Sequence, residues 1–163
     1  LLDERTQEQV EIYLVGDLGG YASEIAERNL SEIIQAPGIV PKDEALRMSK
    51  SSDILLLIDA PVQNSPFLPT KLAEYVFMEN PILGITPEEG TSADVIRQTD
   101  TGTVVSVNNA KEISKSIEKY ISEFQDDTLS IDPDWEEINN YSSDRAVSKY
   151  ASIISKITEL DRQ

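Results

Sequence analysis

The chain has 163 residues and a net charge of -16, from 30 acidic and 14 basic side chains. Such a negative surface argues against nucleic acid and anionic membranes as partners. The sequence has neither cysteine nor histidine, which excludes disulfides and thiolate nucleophiles and removes the commonest general base and transition-metal ligand. No apolar run approaches the roughly 18 residues that span a bilayer and nothing marks export, so we expect a cytoplasmic protein.

Short apolar runs alternate with helical stretches along the chain, a pattern typical of repeated βα units around a parallel sheet. The pattern predicts strands at 10–16, 31–38, 51–60, 81–85 and 103–107. It predicts helices at about 21–30, 43–48, 69–79, 92–99 and 110–124, with two more in the tail, near Trp135 and at 143–160. We therefore expect one α/β domain of about five strands and seven helices in layers.

The clearest strand is SSDILLLIDA (51–60), in which five aliphatic residues follow one another without polar alternation. Such a run fits a central parallel strand that is covered on both faces. In folds of this kind, ligands bind beyond the carboxyl ends of the strands, where loops meet the amino ends of helices. Four segments are predicted at that edge: 16–20, 38–41, 60–71 and 88–92.

Two of these segments carry little specific information. The glycine-rich GDLGG (16–20) matches neither the dinucleotide nor the triphosphate fingerprint. GIVP (38–41) offers backbone groups that could hydrogen-bond a flat base edge, although alone it is an ordinary βα turn.

The stretch PTKLAEY (69–75) is the most specialised. Pro69 suits the first position of a helix, because the amide that it lacks would have no partner there. The amino end of this helix and the Lys71 ammonium suit a diphosphate, and Glu74 could accept two hydrogen bonds from a ribose diol. Alternatively, Lys71 and Glu74 form an ordinary solvated pair three residues apart, and the spacing leaves both interpretations open.

Five short motifs occur in a specific order: GIVP (38–41), EAL (44–46), SDILLLI (52–58), PTKLAEY (69–75) and NPIL (80–83). This order resembles the carboxy-terminal, nucleotide-sugar-binding half of GT-B fold glycosyltransferases, above all the retaining, glycosyltransferase family 4-like enzymes of polysaccharide and cell-surface glycan assembly. The likeness runs from about residue 10 to 125 and more loosely through the tail. It implies a Rossmann-like three-layer domain with a parallel sheet and helices on both faces.

The resemblance implies a role for several residues. Glu74 matches the ribose-binding glutamate of the family. Three further groups border the donor, namely the diphosphate-binding stretch, the turn beside the nucleobase and the strand end that lines the cleft. In this sequence the diphosphate-binding stretch is Leu68, Pro69, Thr70 and Lys71. The turn beside the nucleobase is Ile39 and Val40, and the strand end is Gly16.

The sequence departs from the family pattern at one position of the site. Many relatives carry a second glutamate eight positions before the first, and Pro66 stands there in this chain. Asn64 and Ser65 are the candidates to contact the donor sugar instead. Family precedent implies transfer from a nucleotide-diphosphate sugar, of UDP or GDP type, to a glycan or lipid-linked acceptor, without metal or cofactor. The catalytic residues stay unassigned.

The resemblance also implies missing parts. Residues 1–163 would form one domain without its first, central strand, because Leu1 matches the end of the helix that follows this strand. The amino-terminal acceptor domain would be absent, so we predict a truncated chain that is inactive alone. Helices in 133–163 would cross towards that domain, which would also carry any attachment to the inner face of the membrane. Exposed strand edges predict self-association or strand swapping.

Two other functions stay open. The first is a sugar-nucleotide epimerase of the same architecture, although such enzymes use histidines in the cleft and this chain has none. The second is a non-enzymatic, flavodoxin-like receiver module, in which Asp17 and Asp59 would bind a metal at the strand ends. No matching lysine ends a later strand, and PTK (69–71) would have no role in such a module.

Overall fold

The computed structural model describes residues 4–160, with side chains for residues 6–158. This part of the chain forms five strands and eight helices. In chain order they are α1 (Glu4–Gln7), β1 (Ile12–Val15), α2 (Tyr21–Glu27), β2 (Ile34–Gly38), α3 (Lys42–Ser51), β3 (Leu55–Ile58), α4 (Thr70–Tyr75), β4 (Ile82–Thr86), α5 (Thr91–Gln98), β5 (Gly102–Ser106), α6 (Ala110–Gln125), α7 (Trp135–Asn139) and α8 (Ser143–Leu160). Leu1, on which the predicted missing strand depends, lies outside the described residues.

All strand pairs are parallel, which confirms the predicted α/β class. The strands form two sheets rather than one, β1–β2 and β3–β4–β5. The Leu55 amide donates to Pro81, directly before β4, and the Asp59 amide donates to Ile85 of β4, so the backbone groups of Leu56 and Ile58 point to the opposite edge of β3. Within residues 4–160 that edge has no partner strand, which is why the predicted single sheet is divided.

The three-stranded sheet is covered on both faces. On one face, Leu55, Leu57 and Ile82 pack with fully or almost fully buried side chains of α4, α5 and α7, among them Leu72, Ile96 and Ile138. On the other face, Leu83 and Val105 pack with Tyr120 and half-buried residues of α6. This sheet therefore has the predicted three-layer arrangement, and it contains the buried core of the described chain.

The helix α4 is shorter than predicted. The predicted span of 69–79 placed Pro69 inside the helix, whereas Pro69 is the residue before it, with a non-helical ψ of 132°. Its carbonyl accepts hydrogen bonds from the amides of Leu72 and Ala73. Tyr75 is the last helical residue, and the left-handed backbone of Glu79 (φ 62°) turns the chain towards β4.

The last helix, α8, begins and ends as the sequence predicts. Its apolar stripe (Val147, Tyr150, Ile154 and Ile157) is more than half exposed at every position. No other described element covers this stripe. Across residues 4–160, no helix has both the length and the apolar character to cross a membrane.

Candidate functional site

The four segments predicted at the carboxyl edge of the strands are connected by contacts. The first contact joins the ends of β1 and β2, where the Gly16 amide donates to the Gly38 carbonyl over 2.9 Å. Both glycines have positive φ, 135° and 80°, which side chains disfavour. The chain can therefore turn sharply after each strand and keep the segments 16–20 and 38–41 together.

The second contact joins the segment 38–41 to α4. Lys42 begins α3 directly after this segment, and its Nζ lies 3.0 Å from Oε1 of Glu74. The Glu74 side chain is 36% exposed, so it lies at the rim of the protein and can reach a ligand. This ion pair links the predicted ribose-binding carboxylate to the residue that directly follows the segment 38–41.

A further contact links the end of α3 to the segment after α4. The Asn80 side-chain amide donates to the carbonyl of Ser52, the residue directly after α3, over 2.7 Å. Burial raises the pKa of the Tyr75 phenol, a hydrogen bond with Ser49 of α3 lowers it, and the neighbouring Glu74 carboxylate raises it.

The third set of contacts joins the loop after β3 to the loop after β4. The Asn64 amide donates to the Glu89 carbonyl over 3.1 Å, and the Thr91 amide donates to the Ser65 carbonyl over 3.0 Å. Ser65 and Gly90 form an isolated parallel bridge. These bonds hold segment 60–71 against segment 88–92.

The two acids that a receiver module would use have hydrogen-bond partners within the protein. Asp59 Oδ2 accepts from the Ser92 hydroxyl over 2.6 Å, and its Oδ1 accepts from the Ala60 amide over 2.8 Å. Asp17 accepts from the Gly19 amide over 2.9 Å. Within residues 4–160, no three acidic side chains come together as a metal-binding group.

An open depression of about 440 Å³ lies between the loop after β3 and the loop after β4. Asn64, Ser65 and Pro66 form one side, and the acids Glu88, Glu89 and Asp94 contribute to the other. Carboxylates and an amide suit a ligand rich in hydroxyl groups, because these groups accept or donate hydrogen bonds to hydroxyls.

The predicted site residues differ in their surroundings. Ile39 is 81% exposed and Val40 is half-buried. Thr70 and Lys71 are exposed, and Lys71 makes no ion pair with any described residue. The solvated Lys71–Glu74 pair is not formed, because the Glu74 carboxylate pairs with Lys42 instead. The two lysines therefore differ in their contacts, because Lys42 pairs with Glu74 and Lys71 pairs with no described residue.

Lys42 is the ion-pair partner of Glu74 that the sequence pattern missed. It lies in the first turn of α3, next to Asp43 and Glu44. A cation is disfavoured at this end of a helix because of the helix dipole. That misplaced charge is the one local signal that could have indicated a contact outside the helix.

The fold and this edge together define a Rossmann-like α/β domain. Its edge carries the Glu74 carboxylate, paired with Lys42, and the Lys71 ammonium, which makes no ion pair with a described residue. No family model and no curated protein matches the sequence. Among solved structures, the chain is similar to AviGT4, a glycosyltransferase involved in avilamycin A biosynthesis, with a TM-score of 0.55 and 12% sequence identity. The match covers 92% of this chain and 46% of AviGT4, so the chain spans about half the length of that structure. The likeness shows a glycosyltransferase-like fold.

Proposed function

We propose that this chain is the donor-binding, carboxy-terminal half of a GT-B, family 4-like glycosyltransferase. The observation that carries the proposal is the ion pair of Glu74, whose Oε1 lies 3.0 Å from Nζ of Lys42, the residue directly after the segment 38–41. A carboxylate beside exposed backbone and an unpaired lysine supplies acceptors for a diol and a cation for a diphosphate.

In this proposal, each part of the donor has its own set of residues. The ribose hydroxyls donate to Glu74. The diphosphate lies along Leu68 and Pro69 and against the Lys71 ammonium and the amides of Thr70 and Lys71, because the first amides of a helix have no partner within it. The nucleobase lies along the Ile39–Val40 backbone, with Gly16 behind it. The donor sugar extends towards the depression beside Asn64 and Ser65.

The proposed reaction transfers a glycosyl group from a nucleoside-diphosphate sugar to a hydroxyl of a glycan or lipid-linked acceptor. The bond from the sugar to the diphosphate breaks, the bond to the acceptor oxygen forms, and the nucleoside diphosphate leaves. We propose a retaining reaction without a metal, in the cytoplasm. The acceptor would bind an amino-terminal domain that contacts the exposed stripe of α8, and this chain would be inactive without it.

The test is calorimetric titration of UDP and GDP into the parent chain and Glu74→Ala. We expect saturable binding of one nucleotide, and about tenfold weaker binding by Glu74→Ala, because a carboxylate that accepts ribose hydroxyls is lost. Glu123→Ala is the matched control, since Glu123 is also a half-buried helical glutamate in an ion pair, with Lys119 at 3.4 Å. It should bind like the parent.

Absence of saturable binding by a folded parent chain would contradict the proposal. Magnesium-dependent labelling of the chain by acetyl phosphate would instead support the receiver module.

A further inference from the structure

The Lys42–Glu74 contact differs from the other ion pairs of the described chain. Residues 6–158 form three such pairs, and the other two each lie within one helix, four residues apart, at 3.4 and 4.0 Å. The Lys42–Glu74 pair is the shortest of the three and joins two different helices. It is therefore part of the tertiary structure rather than a local feature of one helix.

The stability of α3 does not explain a lysine at this position. The first turn of a helix favours anions, and α3 already has Asp43 and Glu44 there. Lys42 reaches past these adjacent acids to α4. The pair also contributes little to stability, because the Lys42 side chain is 74% exposed and solvent screens the attraction. The ion pair therefore matters for the position of the Glu74 carboxylate rather than for stability.

The ion pair leaves the carboxylate accessible. The Lys42 Nζ lies 3.0 Å from Oε1 of Glu74, and the Glu74 side chain is 36% exposed. A ligand can therefore reach the carboxylate while the ion pair restrains its direction.

We propose that Lys42 is a positioning residue that holds the Glu74 carboxylate for a ribose diol, so that the site selects ribonucleoside diphosphates over their 2′-deoxy counterparts. This inference rests on the proposed function. Lys42 would be a second residue in ribose recognition, beside Glu74, and selection would depend on the 2′-hydroxyl of the nucleotide. A carboxylate without Lys42 would sample other rotamers and lose its alignment with the two hydroxyls.

The experiment measures the affinities of UDP, GDP and their 2′-deoxy forms for the parent, Lys42→Met, Lys42→Arg and Lys50→Met. We expect Lys42→Met to weaken the preferred ribonucleotide by about three- to fivefold, the limit set by the weakness of an exposed ion pair, and to leave the affinity of its 2′-deoxy form unchanged. Lys42→Arg should restore the preference. Lys50→Met is the matched control, since it removes the same charge from the exposed last turn of α3.

Two further measurements separate positioning from a structural role. Lys42→Met should shift the Tm by less than about 3 °C, because an exposed ion pair adds little stability. In the Glu74→Ala background, Lys42→Met should cause no further loss of affinity, because the two residues act as a unit.

Each other outcome is decisive. Equal weakening of both nucleotide forms, no change, or tighter binding by Lys42→Met would overturn the positioning role, even when binding still depends on Glu74. A parent chain that binds neither nucleotide would instead overturn the proposed function, and the inference with it.

Discussion

The two sheets of this protein have similar sequence patterns and different burial. VEIYLVG (10–16) and DILLLI (53–58) are both aliphatic strands that precede a helix. Among the described side chains, however, none before Leu55 is buried, and the core lies entirely in the part that contains β3, β4 and β5. An apolar strand pattern therefore shows that a strand can be buried, whereas burial itself depends on what covers both faces.

The helices account for the difference. In the three-stranded part, α5 buries four residues against the sheet and α6 covers the opposite face with Tyr120. In the two-stranded part, α2 buries none, and Tyr13 of β1 is 52% exposed. Stability should therefore reside in β3–β5, while the β1–β2 part should tolerate change.

The largest expected effect comes from Ile82→Ala, which truncates a fully buried side chain in the centre of the three-stranded sheet. We expect a loss of about 2 to 5 kcal/mol in the free energy of unfolding. Ile12→Ala in β1 is the matched change on a half-buried strand residue and should cost less than about 1.5 kcal/mol. Urea denaturation followed by circular dichroism measures both. Equal losses would show that the two parts are equally well packed.

An intermediate effect is expected from Gly102→Ala in β5. A Cβ at this position would overlap the backbone of Ile82, including its amide nitrogen at 2.7 Å, and a strand backbone can move little. We expect a loss of about 1 to 3 kcal/mol. Gly20→Ala is the counterpart beside β1, with φ of -69° and no atom within 4 Å of the new methyl group, and should change stability by less than about 1 kcal/mol. A costly Gly20→Ala would contradict the looser packing of that part.

The smallest expected effect is on the pH dependence of the Tm, through Tyr75 and Tyr13. Burial raises the pKa of Tyr75 above 10.0, whereas for exposed Tyr13 the main cause of the raised pKa is its hydrogen bond with Glu11. A raised folded-state pKa means that the stabilising contribution is present below pH 10.0 and is lost as the pH rises through the folded-state value. Tyr75→Phe should reduce the fall in Tm between pH 9 and pH 11, and Tyr13→Phe should reduce it less. A larger effect of Tyr13→Phe than of Tyr75→Phe would show that burial of Tyr75 is not the main cause of the fall in Tm.

Much of the fold could be predicted from periodicity. The bounds of α8 agree with the prediction, and those of α6 differ by one residue. Three strands are shorter than predicted. For example, β3 spans Leu55–Ile58 rather than 51–60, because Ser51 still belongs to α3 and Ser52 caps it. The strands β4 and β5 have the predicted length and are displaced by one residue. Pro69 lies one residue before its helix, since proline fits both positions.

The candidate site was only partly predictable. The pattern indicated Glu74 and Lys71 because both lie near the start of one helix after one strand. The lysine in the first turn of α3 could indicate at most a contact outside that helix, but not its partner, because Glu74 lies 32 positions after Lys42 and the two meet only in the tertiary structure. Pairing across helices depends on three-dimensional distance, and a single sequence contains no measure of it.

The sequence alone determined the α/β class, the order of the elements and the glycines that turn the chain at the edge, because these follow from local periodicity and backbone sterics. Tertiary structure decided the division into two sheets, the position of the core and the partner of Glu74. Those features depend on contacts between residues that are distant in sequence. Such contacts bury Leu72 and Ile82, and they pair Glu74 with Lys42 rather than with Lys71.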